Sequence, residues 1–262
     1  MVWKGGLASH GAAIALIVAM WIFSKKITKK HTLWSLDKLV IAVALAAGFI
    51  RVGNLMNSEI VGIQTNSETS LFYEFKAKGQ ISVFFNIDKE KIQFVETKKD
   101  TLIDGVFYPK KLVSVPLGLK KMNPYFAEAF SDAFSFKDQS SDADFFSSNN
   151  SKDFSLTASN EMVLPIFIIR RIPTQIYEAI SYWMIFVFLF WGYWKKKWYL
   201  YQGRLFGIFL TLLFASRFFV EFFKEHQALS NNSFLTMGQY LSVPLVIVGL
   251  LFWIKSSKID TN

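Results

Sequence analysis

Five apolar stretches along the chain are long enough to cross a lipid bilayer. A helix needs about 20 residues to span the hydrocarbon layer. The stretches run over about Gly6–Ser24, Lys38–Leu55, Ile176–Trp194, Gly203–Phe223 and Met237–Ile254. The hydrophobic pattern therefore predicts an all-α polytopic membrane protein with five transmembrane helices.

The long segment between the second and third stretches has a different pattern. Apolar and polar residues alternate at 72–87, 90–97 and 104–117, and a short apolar run follows at 164–171. Alternation is typical of β-strands, whereas the Ser-, Asp- and Asn-rich composition of 135–155 predicts a mobile loop. We expect a β-rich extracytoplasmic insertion over 63–162, with a disordered part, between transmembrane segments 1–62 and 163–262.

Charge indicates how the helices are oriented. The net charge is +9, and lysine-rich runs follow the first, third and fifth stretches, at Lys25–Lys30, Lys195–Lys197 and Lys255–Lys258. Basic residues favour the cytoplasmic ends of transmembrane helices, so we expect the N-terminus and the insertion outside and the C-terminus in the cytoplasm. Lysines placed beside apolar stretches favour a membrane over nucleic acid as the partner.

The composition also excludes several chemistries. The chain has no cysteine, which excludes disulfides, thiolate metal sites and a cysteine nucleophile. The three histidines, His10, His31 and His226, are too scattered to predict a metal centre. We expect neither a metal nor a cofactor.

Two arginines lie inside apolar stretches, and each precedes a carboxylate. Arg51 is followed by Glu59, and Arg217 by Glu221. A charged side chain at membrane depth costs about 2.5–3.5 kcal/mol on insertion scales, so it usually has a function. The alternative is a structural polar network that joins helices, or a self-neutralised pair of Arg217 and Glu221 at i, i+4.

The segment FIRVGNLMNSEIVG is the most specific of these signals. On a helix, Arg51, Asn54 and Ser58 lie on one face, and Gly53 leaves room beside that face for a head group or another backbone. Asn57 and Glu59 follow at the expected end of the helix.

Further polar residues stand at the predicted outer ends of the other helices. A histidine there can serve as a general base or hydrogen-bond donor, although a lone histidine is as often structural. An arginine beside a carboxylate can hold a phosphate, because the planar guanidinium matches phosphate oxygens. The candidates are His10, Gln175, Tyr177, Glu178 and Gln239.

Six blocks in this order give the chain a family resemblance: GGLASHGA, GFIRVGNLMNSEIVG, IPTQIYEA, GRLFG, SRFFVEFFKE and MGQYLSVP. Together they resemble the bacterial prolipoprotein diacylglyceryl transferase family. The resemblance covers all five predicted helices and leaves out the insertion.

The resemblance implies an activity in the bacterial cytoplasmic membrane. The family moves the diacylglyceryl group of phosphatidylglycerol onto the lipobox cysteine thiol of a prolipoprotein, and glycerol phosphate leaves. Carried over by motif, Arg51 and Arg217 match the essential arginines, and the other catalytic candidates are His10, Glu59 and Glu221. The implied substrate-binding residues are Gly53, Asn54, Asn57, Gln175, Tyr177, Glu178 and Gln239.

The chain also departs from the family pattern. The resemblance implies two further helices before the first one here, with an essential tyrosine, and a histidine where this chain has Ile172. An inactive or split fragment of such an enzyme is therefore one alternative. A non-catalytic transporter or channel subunit is another, because buried arginines also mark anion pathways.

Overall fold

The computed structural model describes residues 8–103, 106–116, 124–135, 144–147, 155–156, 161–224 and 235–258. Within them the α-helices are α1 (Ala8–Phe23), α2 (Thr32–Met56), α3 (Glu74–Phe85), α4 (Pro124–Ala133), α5 (Thr174–Trp194), α6 (Arg204–Val220) and α7 (Met237–Ile254). The strands are β1 (Gln93–Ile103), β2 (Val106–Pro116), β3 (Phe145–Ser147), β4 (Ser155–Leu156), β5 (Glu161–Ile168), β6 (Tyr201–Gln202) and β7 (Ser257–Lys258).

The chain divides into two compact units. The first consists of residues 1–52, 176–222 and 227–262, and the second of 53–175 and 223–226. The first unit holds most of the long apolar helices, and the second holds the larger sheet. We call them the helical unit and the sheet unit.

Four of the described helices are long and apolar enough to cross a membrane. They are α2, α5, α6 with the short turn that continues it to Phe223, and α7. The predicted span over Met237–Ile254 coincides with α7. The described part of the first stretch, α1, has 16 residues, so the count of five spans stays a prediction.

Small residues and an apolar core pack the helical unit. A Cβ at Gly207 of α6 would lie 2.5 Å from the backbone nitrogen of Trp253 and 2.7 Å from the carbonyl oxygen of Gly249, both on α7. Glycine is required there because the two backbones approach so closely. The buried core between α2, α5 and α6 consists of Val40, Ala44, Tyr182, Ile185, Leu189, Leu205, Ile208 and Phe209.

A buried carboxylate fixes the start of α6. Asp37 of α2 accepts hydrogen bonds from the backbone amides of Gly203, at 2.7 Å, and Phe206, at 2.8 Å. These amides belong to the first turn of α6, where no carbonyl within the helix is available to them. Asp37 thereby fixes the start of the helix that carries Arg217.

The sheet unit packs two helices against an antiparallel sheet. The strand order is β1-β2-β5-β3, and β4 also pairs with β5. The core between the helices and the sheet includes Ala77, Ile81, Phe85, Phe130, Val113, Val115, Phe145, Leu164 and Ile166. The strands predicted at 90–97, 104–117 and 164–171 are confirmed as β1, β2 and β5.

The strand predicted over 72–87 is wrong, because this segment forms α3. Its buried apolar residues are Ala77, Ile81 and Phe85, which recur every four residues and so follow a helical period. An ion pair of 2.9 Å between Glu74 and Lys78 also has helical i, i+4 spacing.

The mobile loop predicted over 135–155 is wrong in part. Phe145, Phe146 and Ser147 form β3, are buried, and pair with β5. Asp144, directly before β3, is fully buried. Residues 136–143 and 148–154 lie outside the described residues.

Candidate functional site

A cluster of charged side chains lies among the long helices of the helical unit. The Nε atom of Arg51 on α2 lies 3.0 Å from Oε2 of Glu178 on α5, with side-chain exposures of 12% and 1%. Tyr182 follows Glu178 by one helical turn, and its ring lies close to the Arg51 guanidinium. Arg217 of α6 is close enough to interact electrostatically with the Tyr182 hydroxyl. We call Arg51, Glu178, Tyr182 and Arg217 the arginine cluster.

The arginine cluster carries two guanidinium groups and one carboxylate. The Tyr182 ring centre lies 5.9 Å from Cζ of Arg51, so the ring also faces the cation. Within the cluster positive charge exceeds negative charge; Glu178 and Tyr182 are buried, and both arginines are half-buried. Such an arrangement suits an anionic group, because charge-assisted hydrogen bonds from arginine strengthen in a low dielectric.

Glu221 lies one turn after Arg217, at the N-terminus of α7. Its Oε1 accepts a hydrogen bond of 3.1 Å from the Thr236 hydroxyl. A Cβ at Gly238 would lie 2.6 Å from the Glu221 carboxyl group, so glycine leaves the space for it. The positive end of the α7 dipole stabilises a carboxylate at this point.

In the described part of the chain, the side-chain amide of Gln239 has a donor without a partner. Its Oε1 accepts a 3.0 Å hydrogen bond from the backbone amide of Thr236 and completes a capping box. Gln239 is 2% exposed, and its Nε2 has no partner among the described residues. A buried amide donor without a partner is costly, so this group is suited to bind an incoming acceptor.

The end of α2 contains a strained turn. The helix stops at Met56, and Ser58 and Ile60 adopt φ angles of +57° and +58°. A positive φ is unfavourable for serine and more so for the β-branched Ile60. Ser58 is therefore outside the helix, and the predicted shared face of Arg51, Asn54 and Ser58 is wrong for Ser58. We call Ser58–Ile60 the strained turn; Glu59 is at its centre.

Side chains just before and at the start of α5 hold the backbone around this turn. Gln175 donates a hydrogen bond of 2.6 Å to the carbonyl oxygen of Glu59, and Thr174 donates one of 3.1 Å to that of Ile60. Gln175 is fully buried, and its Oε1 accepts a hydrogen bond of 2.8 Å from the Tyr73 hydroxyl. Both ends of the Gln175 amide therefore bind the protein itself.

Gly62 lies where three backbone segments meet. Its amide donates to the carbonyl of Ile172, and the amide of Ile63 donates to that of Phe223. A Cβ at Gly62 would lie 2.4 Å from the Ile172 carbonyl oxygen and 2.8 Å from that of Phe223. Backbone atoms cannot move aside like flexible side chains, so this position requires glycine.

A buried ion pair lies next to this junction. Nε of Arg171 is 3.0 Å from Oδ1 of Asp144, with side-chain exposures of 2% and 0%. Nζ of Lys76 lies 3.4 Å from Oδ2 of the same carboxylate. Burial raises the pKa of Asp144, while the charges of Lys76 and Arg171 oppose that rise.

The other candidates from the sequence lie apart from these contacts or outside the described side chains. A Cβ at Gly53 would meet no described atom within 4 Å, so the predicted space beside it is open among the described residues. The Asn54 carbonyl accepts from the Glu59 amide; Asn57 is exposed and Tyr177 is 39% exposed. The His10 backbone belongs to α1, but its side chain lies outside the described residues.

Sequence reasoning missed Tyr182, Gly62, Tyr73 and Arg171. The spacing of Tyr182 from Glu178, at i, i+4 on one helix face, was the available signal for Tyr182. Gly62 and Tyr73 gave no such signal, because their roles depend on contacts with residues about a hundred positions away, Ile172 and Gln175.

Four helices long and apolar enough to cross a membrane, with two arginines and a carboxylate among the helices of this unit, are typical of a polytopic membrane protein. The chain belongs to the prolipoprotein diacylglyceryl transferase family, whose model matches residues 1–255. Arg51 and Glu59 lie in the block GFIRVGNLMNSEIVG, and Arg217 and Glu221 lie in the block SRFFVEFFKE, two of the six blocks that carry the resemblance.

Three relatives are named phosphatidylglycerol–prolipoprotein diacylglyceryl transferase. Those of Chloroherpeton thalassium and Tolumonas auensis are each 29% identical over 98% of this chain, which covers 63% and 65% of their lengths. That of Bacteroides fragilis is 30% identical over 94% of this chain, which covers 57% of its length. The chain thus spans less than two thirds of each relative. No solved structure gives a significant match.

Proposed function

We propose that the chain transfers the diacylglyceryl group of phosphatidylglycerol to the lipobox cysteine thiol of a prolipoprotein. The family and the names of the relatives support this reaction. The observation that carries the proposal is the arginine cluster, in which Arg51 pairs with Glu178 and lies near Tyr182, and Arg217 of a different helix lies within electrostatic range of the same tyrosine. A phosphate ester is the anionic group that such a cluster suits in a membrane.

The reaction replaces a carbon–oxygen bond by a carbon–sulfur bond. The substrate thiol gives up its proton, and its sulfur attacks the glyceryl carbon that bears the phosphate ester. The bonding electrons leave with the oxygen, which yields glycerol phosphate and a thioether. Negative charge therefore grows on the leaving phosphate, and preorganised donors there lower the barrier.

The proposed roles follow the charges. Arg51 and Arg217 bind the phosphate oxygens, while Glu178 and Tyr182 hold Arg51 in place. Gln239, whose Nε2 has no partner among the residues that the structure describes, donates to the lipid head group. The thiol has a pKa near 8.5 in water, so its proton needs an acceptor; His10, Glu59 and Glu221 are the candidates.

The remaining substrate-binding assignments rest on the family motifs. Gly53, Asn54, Asn57 and Tyr177 contact the lipid or the signal peptide, and Gln175 acts by holding the Glu59 backbone. The partners are phosphatidylglycerol and the prolipoprotein signal peptide, within the membrane.

The proposed location is the bacterial inner membrane. The lysine-rich runs support five spans with the N-terminus outside and the C-terminus in the cytoplasm. The insertion over 63–162 then stands outside the membrane, between transmembrane segments 1–62 and 163–262.

A mass measurement tests the proposed reaction. The purified chain is placed in vesicles of phosphatidylglycerol with a synthetic lipobox peptide, and the peptide is expected to gain one diacylglyceryl group. A peptide with serine in place of cysteine and vesicles of phosphatidylethanolamine alone are the controls, and neither should give product. An unchanged cysteine peptide rejects the activity, and anion flux through the vesicles without modification would favour a channel or transporter subunit.

A further inference from the structure

The strained turn needs supporting contacts, because the residues on both sides of Glu59 have an unfavourable backbone conformation. Ser58 and Ile60 are not glycines, yet both have positive φ. Strained backbone of this kind costs about 1–3 kcal/mol per residue and persists only where surrounding contacts enforce it. Among the described residues, one short segment, 171–175, supplies several of those contacts.

Arg171 is the first residue of this segment and precedes the start of α5, at Thr174, by three residues. Its Nη1 donates a hydrogen bond of 3.4 Å to the carbonyl oxygen of Gly62. Its backbone exchanges two hydrogen bonds of 2.9 Å with Leu71. Arg171 thus joins the chain that leaves the strained turn to the chain that enters α3.

Asp144 holds Arg171 from the insertion. Besides the ion pair with Arg171, its backbone carbonyl accepts a hydrogen bond of 2.8 Å from Ile169. Both the backbone and the side chain of Asp144 are therefore fixed. A buried guanidinium that lost this carboxylate would be a buried charge with too few partners, which is strongly unfavourable.

We propose that Asp144 is a positioning residue: through Arg171 it holds the strained turn, and so the orientation in which Glu59 is presented for diacylglyceryl transfer. The role rests on the proposed function. The insertion then has a role in the reaction, because it supplies the carboxylate that keeps the strained turn, far away in the sequence, in its strained form. Asp144 itself touches no reacting atom.

The experiment compares Asp144→Asn with the wild type in full-length chain. Asparagine keeps the shape and one acceptor but removes the charge that holds Arg171. We expect faster amide hydrogen exchange at Glu59, Gly62 and Ile63, whose amides bond to Asn54, Ile172 and Phe223. Amides of the β1–β2 ladder should keep their rates and show that the sheet unit remains folded.

Transfer kinetics form the second measurement. A misplacement of about 1 Å can cost roughly 100-fold in rate, so kcat should fall by about 10- to 100-fold while KM changes little. Glu96→Gln is the matched control, because it removes an ion pair with Lys111 from an exposed carboxylate of the same unit. It should change neither the exchange nor kcat.

Arg171→Lys gives an independent variant if Asp144→Asn does not fold. Lysine keeps the positive charge but cannot reach both Asp144 and the Gly62 carbonyl, so the same changes are expected. Slower transfer with unchanged exchange overturns the proposal, and so does faster exchange with unchanged kcat. If the wild type transfers no lipid, the proposed function fails; faster exchange at Glu59, Gly62 and Ile63 in Asp144→Asn then still supports the hold of Asp144 on the strained turn, and unchanged exchange rejects it.

Discussion

Arg51 and Glu178 form an ion pair of 3.0 Å between two helices that are each long enough to cross a membrane. The pair neutralises one charge of the arginine cluster, and in the proposed function the charge of the second arginine binds the anionic head group. Glu178 also aligns the guanidinium, because the carboxylate binds Nε and leaves the outer nitrogens for other partners. In the proposed function, this one pair therefore serves both stability and binding.

Glu178→Gln should destabilise the protein. It leaves the Arg51 charge without its partner, and breaking one side of a buried pair costs about 3 kcal/mol or more. Thermal unfolding in detergent measures the effect. Glu74→Gln, which breaks the exposed pair with Lys78, should cost less than about 0.5 kcal/mol; equal losses in the two variants would contradict the buried role of Glu178.

Two glycine substitutions distinguish a glycine that is needed for packing from one that is proposed to leave room for the substrate. Gly62→Ala places a methyl group against two backbone carbonyls, and such overpacking costs about 1–3 kcal/mol. Gly53→Ala meets no described atom and should leave stability equal or slightly higher, since alanine favours a helix by about 0.5–1 kcal/mol. Unfolding midpoints and the transfer rate are measured for both.

If the space at Gly53 accepts the lipid head group, Gly53→Ala should keep the fold and lose transfer. Full activity in Gly53→Ala would remove Gly53 from the substrate-binding set. An unchanged midpoint in Gly62→Ala would show that the junction of the three backbone segments is looser than the structure has it.

Tyr73 should make stability depend on alkaline pH. Burial raises its pKa to about 12. The unfolded chain loses the phenol proton near pH 10, while the folded chain keeps it. This contribution to stability is therefore complete below about pH 10 and is lost as pH rises through about 12.

The measurement is the unfolding midpoint from pH 9 to pH 12 for the wild type, Tyr73→Phe and Tyr125→Phe. Tyr125 is 74% exposed, so its variant should follow the wild type. The decline attributable to Tyr73 should be absent in Tyr73→Phe. Identical pH profiles for Tyr73→Phe and the wild type would contradict a buried, proton-retaining phenol.

Single cysteines test the orientation, because the chain has none of its own. Glu96→Cys in the insertion should react with a membrane-impermeant maleimide added to intact cells. Lys196→Cys, in the lysine-rich run after α5, should react only after the membrane is opened. The opposite pattern would invert the arrangement given by the lysine runs.

The sequence predicted the long helices well, because membrane spans depend on composition over about 20 residues. The bounds of α7 could be read from the apolar run alone. The strand expected over 72–87 was wrong, since Phe-rich segments with lysines between them fit both periods, and only the burial of Ala77, Ile81 and Phe85 separates them.

The sequence predicted which residues belong to the candidate site, but it did not predict which of them pair. Charged residues in apolar stretches identified Arg51 and Arg217 from the sequence. The pairing of Arg51 with Glu178 depends on how α2 and α5 are rotated toward each other, which a helical period does not determine. Asp144 was assigned to a mobile loop because its polar neighbours obscured the short buried strand that follows it.

The central claim is that the arginine cluster performs the transfer, and two substitutions on one helix test it. Arg217→Lys keeps the charge but loses the planar donors that match phosphate; removing such a donor costs about 100- to 1,000-fold in kcat. Arg204→Lys is the control, because Arg204 starts α6 and donates to Ser256 instead. The account predicts diacylglyceryl transfer to a lipobox peptide by Arg204→Lys at the wild-type rate and almost none by Arg217→Lys. Equal transfer by both variants would contradict it.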